Sequence, residues 1–112
     1  MGLAVLPDFS MTVRNLPGIH VVALSGELDA ATSDGLADAI VRAAGSTVVV
    51  DLSGLTFMDS SGIGALVVAK KRIVAKGLGQ LVLTRPGAAV GRVLDIVGLS
   101  QWVVEWSPDW NE

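Results

Sequence analysis

The stretch TVVVDLSGLTFMDSSGIGAL, residues 47–66, carries two different periodicities in twenty residues. Its first six residues, TVVVDL, are β-branched and nearly all apolar, as in a central strand covered on both faces. From about residue 61 the spacing becomes helical and holds to about residue 76, with Ile63, Leu66, Val67, Ile73 and Val74 as the expected buried stripe. Lys70, Lys71, Arg72 and Lys76 gather near the end of that helix, where its dipole favours cations. A buried strand feeding a helix is half of a strand–helix–strand unit, which implies a parallel neighbour and a right-handed crossover. FMDSSG, residues 57–62, occupies the junction.

Working outward, FSMTVR (9–14) and IHVVALS (19–25) read as strands joined by the tight turn NLPG (15–18). A short edge strand is expected before them, near Leu3 to Leu6, closed by Pro7. After GELD, residues Leu36, Ala37, Ile40, Val41 and Ala44 keep helical spacing, with Asp29 as the candidate N-cap and Gly45 as the stop. Downstream, Gly77 and Gly79 break the pattern and QLVLT (80–84) reads as another buried strand. Pro86 suits the first turn of a further helix. Val90, Val93, Leu94 and Val97 would be its apolar face and Gly98 its end. WVVEW (102–106) reads as a short last strand or an extended tail. The sum is one α/β domain: a mixed sheet, made of an N-terminal hairpin plus parallel strands, packed with α-helices. Functional groups in such sheets tend to lie beyond the C-terminal ends of the parallel strands, which is where FMDSSG falls.

Composition narrows the chemistry. The 112 residues suit a single domain, and 51% of them are apolar. The net charge of −3 comes with no basic stripe, so no direct nucleic-acid contact is expected. Without cysteine there is no disulfide frame, thiol nucleophile or zinc–thiolate site. One histidine and eleven scattered acids argue against a metal centre, and no cofactor is expected. His20 lies in an apolar strand, where a structural or solvent-facing role is expected. No apolar run approaches the roughly 20 residues that span a bilayer, and the start has no signal-peptide pattern. A cytoplasmic protein without a membrane partner is the expectation.

The DSSG serines allow two readings. In one, Ser60 or Ser61 only caps the helix. In the other, a hydroxyl there is phosphorylated, because a helix N-terminus tolerates the dianion while the surface charge changes sharply. Gly62 and Gly64 either leave the surrounding face open to a large partner or serve close helix–sheet packing. Met58 reads as an exposed, adaptable contact or as core. A nucleophilic serine is disfavoured: G-x-S-x-G is absent and no histidine stands in support. No P-loop follows the glycines either. The chain is therefore not expected to be an enzyme.

SGELDAAT (25–32), VVVDLSGLTFMDSSGIGAL (48–66), the basic helix end with its glycine turn, and the final helix ending DIVGL together resemble the STAS domain family. The likeness is greatest to the single-domain bacterial anti-sigma-factor antagonists and covers about residues 9–104. It implies partner switching. Such an antagonist binds an anti-sigma factor that is also a serine kinase of the histidine-kinase ATPase type, and so frees the sigma factor. Phosphorylation of the DSSG serine weakens the complex, and a PP2C-like phosphatase restores it. Transcription is thereby regulated indirectly.

The family's phosphorylated hydroxyl falls on Ser61, with Ser60 as the alternative. The resemblance adds Asp29, Asp59, Ser60 and Ser61 to the residue-based candidates Met58, Gly62 and Gly64, and the seven together are the expected partner-binding set. A competing reading is an unmodified STAS scaffold, or a module that senses a small nucleotide or lipid. The Trp-rich tail, residues 105–112, departs from the family pattern. Trp102 and Trp106 either cover the sheet edge or a helix face, or form a docking tail. A monomer or weak homodimer is expected.

Overall fold

The computed structural model describes residues 9–106. The expected edge strand at Leu3 to Leu6 and the tail beyond residue 106 lie outside the described residues. Among them a four-stranded sheet runs β1 (Phe9–Leu16), β2 (Ile19–Leu28), β3 (Thr47–Met58) and β4 (Gln80–Thr84), in that spatial order. The β1–β2 hairpin is antiparallel, and β2–β3 and β3–β4 are parallel. The helices are α1 (Leu36–Ala43), α2 (Ser60–Ala75) and α3 (Ala88–Val97), followed by a 3₁₀ turn at Ser100–Trp102. This is the expected mixed α/β sheet.

The core follows strand alternation. Val22, Leu24, Val48, Val50, Leu52, Leu81 and Leu83 are buried and pack with Leu36, Ile40 and Val41 of α1 and Leu66, Ala69 and Ile73 of α2. Val90 and Leu94 of α3 join the same cluster. The α1 and α2 helices lie against each other. Val74, expected in the buried stripe of α2, is 61% exposed, because the inward face of α2 runs through Gly62, Leu66, Ala69 and Ile73. Val97 of α3 likewise stands largely outside the core.

Two boundaries differ from the sequence reading, and the structure settles a third feature that it left open. First, β2 and β3 run on to Leu28 and Met58. The pairing slips between Ala23 and Ser25 and again between Gly26 and Glu27, then resumes through Leu28 opposite Met58. Ser53 and Gly54, which look like a loop, sit at this irregularity. A Cβ on Gly54 would lie 2.7 Å from the Ser25 side chain and 2.8 Å from the Leu24 carbonyl, so only glycine lets the strands meet. Second, α1 starts at Leu36, after a turn, and Asp29 does not cap it. Its N-cap is Gly35, in the left-handed region at φ 82°. Third, WVVEW takes the extended form of its two readings: Trp102 closes the 3₁₀ turn, and from Val103 the chain is an extended strap with one parallel bridge between Val103 and Leu83.

A polar link, buried at its Asp51 end, ties the end of β4 to β3. Arg85 donates to both Asp51 carboxylate oxygens, at 3.4 and 2.5 Å, and the Ser53 backbone N–H donates to Asp51 at 3.0 Å. The buried Thr84 hydroxyl shares its one proton between the carbonyls of Val104 (2.9 Å) and Trp106 (3.1 Å), latching the strap to the end of β4. Trp102 is half-buried against the core, with the Lys70 ammonium 4.9 Å from its ring centre. That accords with the covering role for Trp102. His20 donates through Nδ1 to Asn15 Oδ1, 2.6 Å away across the hairpin, a structural contact.

Candidate functional site

Leu28 and Met58 are register partners at the C-terminal ends of two parallel strands. The residues that follow them, Asp29 and Asp59, therefore emerge side by side, and the Asp59 backbone N–H donates to the Leu28 carbonyl at 3.2 Å. Two segments 30 residues apart in sequence thus form one site at the strand ends.

Each acid organises its own turn. Asp29 Oδ1 accepts from the backbone N–H groups of Ala31 (3.0 Å) and Thr32 (3.2 Å). The Thr32 hydroxyl donates to the Glu27 carbonyl at 2.8 Å and closes the loop. Asp59 is the N-cap of α2, and its Oδ1 accepts the Ser61 backbone N–H at 2.9 Å. The capping role considered for the serines belongs to Asp59 instead. Ser60 and Ser61 occupy the first helical positions, and among the described residues neither hydroxyl has a hydrogen-bond partner. Ser60 is exposed and Ser61 half-buried.

Two expected contact residues are corrected. Met58 is only 3% exposed and belongs to the core. Gly62 is buried too. A Cβ there would lie 2.7 Å from Leu28 Cγ and 2.9 Å from Met58 Cγ. The packing reading therefore holds for Gly62, because α2 must lie directly on the end of β2. Gly64 is different: it is exposed, and a Cβ there would meet nothing within 4 Å. The surface set brought together is Asp29, Asp59, Ser60, Ser61 and Gly64.

Residues the sequence reading did not assign to the site complete the surface. Phe57, two positions before Asp59, is 46% exposed. A groove of about 520 Å³ runs between α1 and α2 from Ser61 past Gly64 and Val68 to Arg72, with Asp34, Ala37 and Asp38 on its other wall. Val68 is 46% exposed there. Arg72 forms an ion pair with Asp38 and holds that carboxyl below the usual carboxylate range. Helical spacing alone would have marked Gly64, Val68 and Arg72 as one face, but not which face α1 approaches. Among the described residues no cluster of three metal-ligating side chains is present.

Comparison with known proteins follows this geometry. The STAS domain family matches residues 10–111. An anti-sigma F factor antagonist of Paenibacillus polymyxa is 41% identical over 86 residues, which are 73% of each chain. The crystal structure of an anti-sigma factor antagonist from Mycobacterium paratuberculosis superposes with a TM-score of 0.78 at 27% identity, over 96% of this chain and 94% of the other. The structure of the anti-sigma factor antagonist SpoIIAA in its unphosphorylated form gives 0.76 at 24% identity, over 91% and 92%. That last likeness speaks for the fold.

Proposed function

The chain belongs to the STAS domain family, and on that premise we propose that it is an anti-sigma factor antagonist, a binding protein rather than an enzyme, switched by phosphorylation of Ser61. The general role rests on relatives that bear that name and match most of their length. One observation carries the switch. Asp59 already caps α2, so the Ser61 hydroxyl is not needed to hold the helix.

A partner kinase of the histidine-kinase ATPase type transfers the γ-phosphoryl group of ATP to Ser61 Oγ. ADP leaves, and the hydroxyl proton passes to a base on the kinase. The free N–H groups and positive end of α2 accommodate the phosphate, so the fold tolerates it. A PP2C-like phosphatase hydrolyses the ester and restores binding. Asp29 and Asp59 fix the two loops that frame the serine. Release of the sigma factor is thus controlled by charge on one side chain, within the cytoplasm.

The test is the intact mass of wild type and Ser61→Ala after incubation with the host's anti-sigma factor kinase and ATP. One added phosphate in wild type and none in Ser61→Ala is the expected result. A phosphate that persists in Ser61→Ala moves the site to Ser60 or elsewhere. No phosphate on either protein removes the switch.

A further inference from the structure

We propose that the α1–α2 groove is a second docking element, which takes a short helix of the partner bearing a cation at one end and an acid at the other. The inference rests on the proposed function, since it assigns a further surface to the same partner. The groove begins at Ser61 and ends at Arg72, eleven residues later along α2. That is about 16 Å, or three helical turns. Its floor is small and apolar: Gly64 leaves open space, Ala37 faces it, and Val68 is 46% exposed.

Its two ends differ in charge. Asp34 lines the Ser61 end, and among the described residues its carboxylate has no hydrogen bond or ion pair. At the other end Arg72 pairs with Asp38, and Arg42 and Lys76 lie near enough to help stabilise the Asp38 carboxylate. A helix seated over Gly64 with Lys or Arg opposite Asp34 and Asp or Glu at the Arg72 end, where the cations outnumber the single Asp38 carboxylate, satisfies both ends. Gly64 permits the close backbone approach such packing needs. A phosphate on Ser61 would sit at the groove mouth, away from the apolar floor. The groove therefore supplies standing affinity, and Ser61 supplies the switch.

The experiment is a titration of the purified host anti-sigma factor kinase against wild type, Gly64→Leu, Asp34→Lys and the remote α3 variant Ile96→Glu. Thermal unfolding of each confirms folding. The expected result is at least tenfold weaker binding by Gly64→Leu and by Asp34→Lys, with Ile96→Glu unchanged. Wild-type affinity in both groove variants overturns the groove and leaves the proposed function standing. Equal weakening by Ile96→Glu also overturns the groove, because the effect is then not local. Absence of binding by wild type itself overturns both. Gly64→Leu fills space in which a Cβ meets nothing, and Asp34→Lys alters an exposed rim, so the two variants cannot share one folding defect.

Discussion

At the residue scale, the cap of α2 is a carboxylate, which leaves both neighbouring serine hydroxyls outside the capping role. The capping oxygen is that of Asp59, so Asp59→Ala should lower stability by about 1 kcal/mol. Ser60→Ala and Ser61→Ala should stay within about 0.5 kcal/mol of wild type. Urea unfolding of the three variants checks this, and a large loss from Ser61→Ala would return the serine to a capping role. Asp51 gives a second residue-scale prediction. Burial pushes its carboxyl pKa up, but hydrogen bonds from Arg85 and Ser53, with the Arg85 charge, outweigh that and leave it below 3.8. A carboxyl depressed in the folded state contributes stability above its unfolded pKa and loses it as pH falls through the folded value. Asp51→Asn should therefore be less stable than wild type at neutral pH, with the gap narrowing below about pH 4. A gap independent of pH between neutral and acid would mean that the Arg85 pair contributes nothing.

At the scale of the element, α2 carries two glycines two positions apart that should respond with opposite sign. Gly64→Ala gains helix propensity in open space and should stabilise by about 0.5–1 kcal/mol. Gly62→Ala forces its methyl onto Leu28 and Met58 and should destabilise by about 1–2 kcal/mol net. Thermal unfolding reads both, and stabilisation by Gly62→Ala would show that the β2 end yields. These paired glycines also show what sequence could and could not reveal. The strand-to-helix switch at DSSG, the hairpin and the three helices follow from local periodicity and turn residues. Which face of α2 meets β2 depends on where β2 ends, and that depends on a pairing irregularity at Gly54 that no local pattern encodes. Hence the sequence leaves Gly62 and Met58 open between surface and packing roles, and the structure puts both inside. The 30-residue gap between Asp29 and Asp59 hides the same contact. The strap beside β4 is equally non-local: Thr84 looks like any strand threonine, yet its hydroxyl holds two carbonyls of the tail. Thr84→Val keeps the shape, loses both bonds, and should cost about 1–3 kcal/mol. Amide exchange at Val104, whose N–H donates to the Leu83 carbonyl at 2.8 Å, should quicken in that variant. Unchanged exchange would mean that the bridge alone holds the strap.

For the whole molecule, the proposed switch requires that a single phosphate on Ser61 change binding without changing the fold. The core lies beneath the helices, and the Ser61 side chain stands at a helix start outside the buried cluster. A kinase that phosphorylates Ser61 must bring its nucleotide phosphates to that hydroxyl. In the proposed switch the phosphoserine would then face the nucleotide product, and each close like-charge contact there would cost on the order of 4 kcal/mol. About 1.4 kcal/mol is a tenfold change in affinity, so two or three such contacts empty the complex. Two consequences distinguish this electrostatic switch from a conformational one. Amide NMR shifts on phosphorylation should be confined to the Asp29 turn, the start of α2 and the mouth of the α1–α2 groove, with β1 and β4 unmoved. The affinity gap between the two forms should also shrink as salt rises, because the Debye length falls from about 10 Å at 0.1 M to about 3 Å at 1 M. A gap that is constant across that range, accompanied by shifts throughout the sheet, would place the switch in a rearrangement of the fold and not in the charge at Ser61.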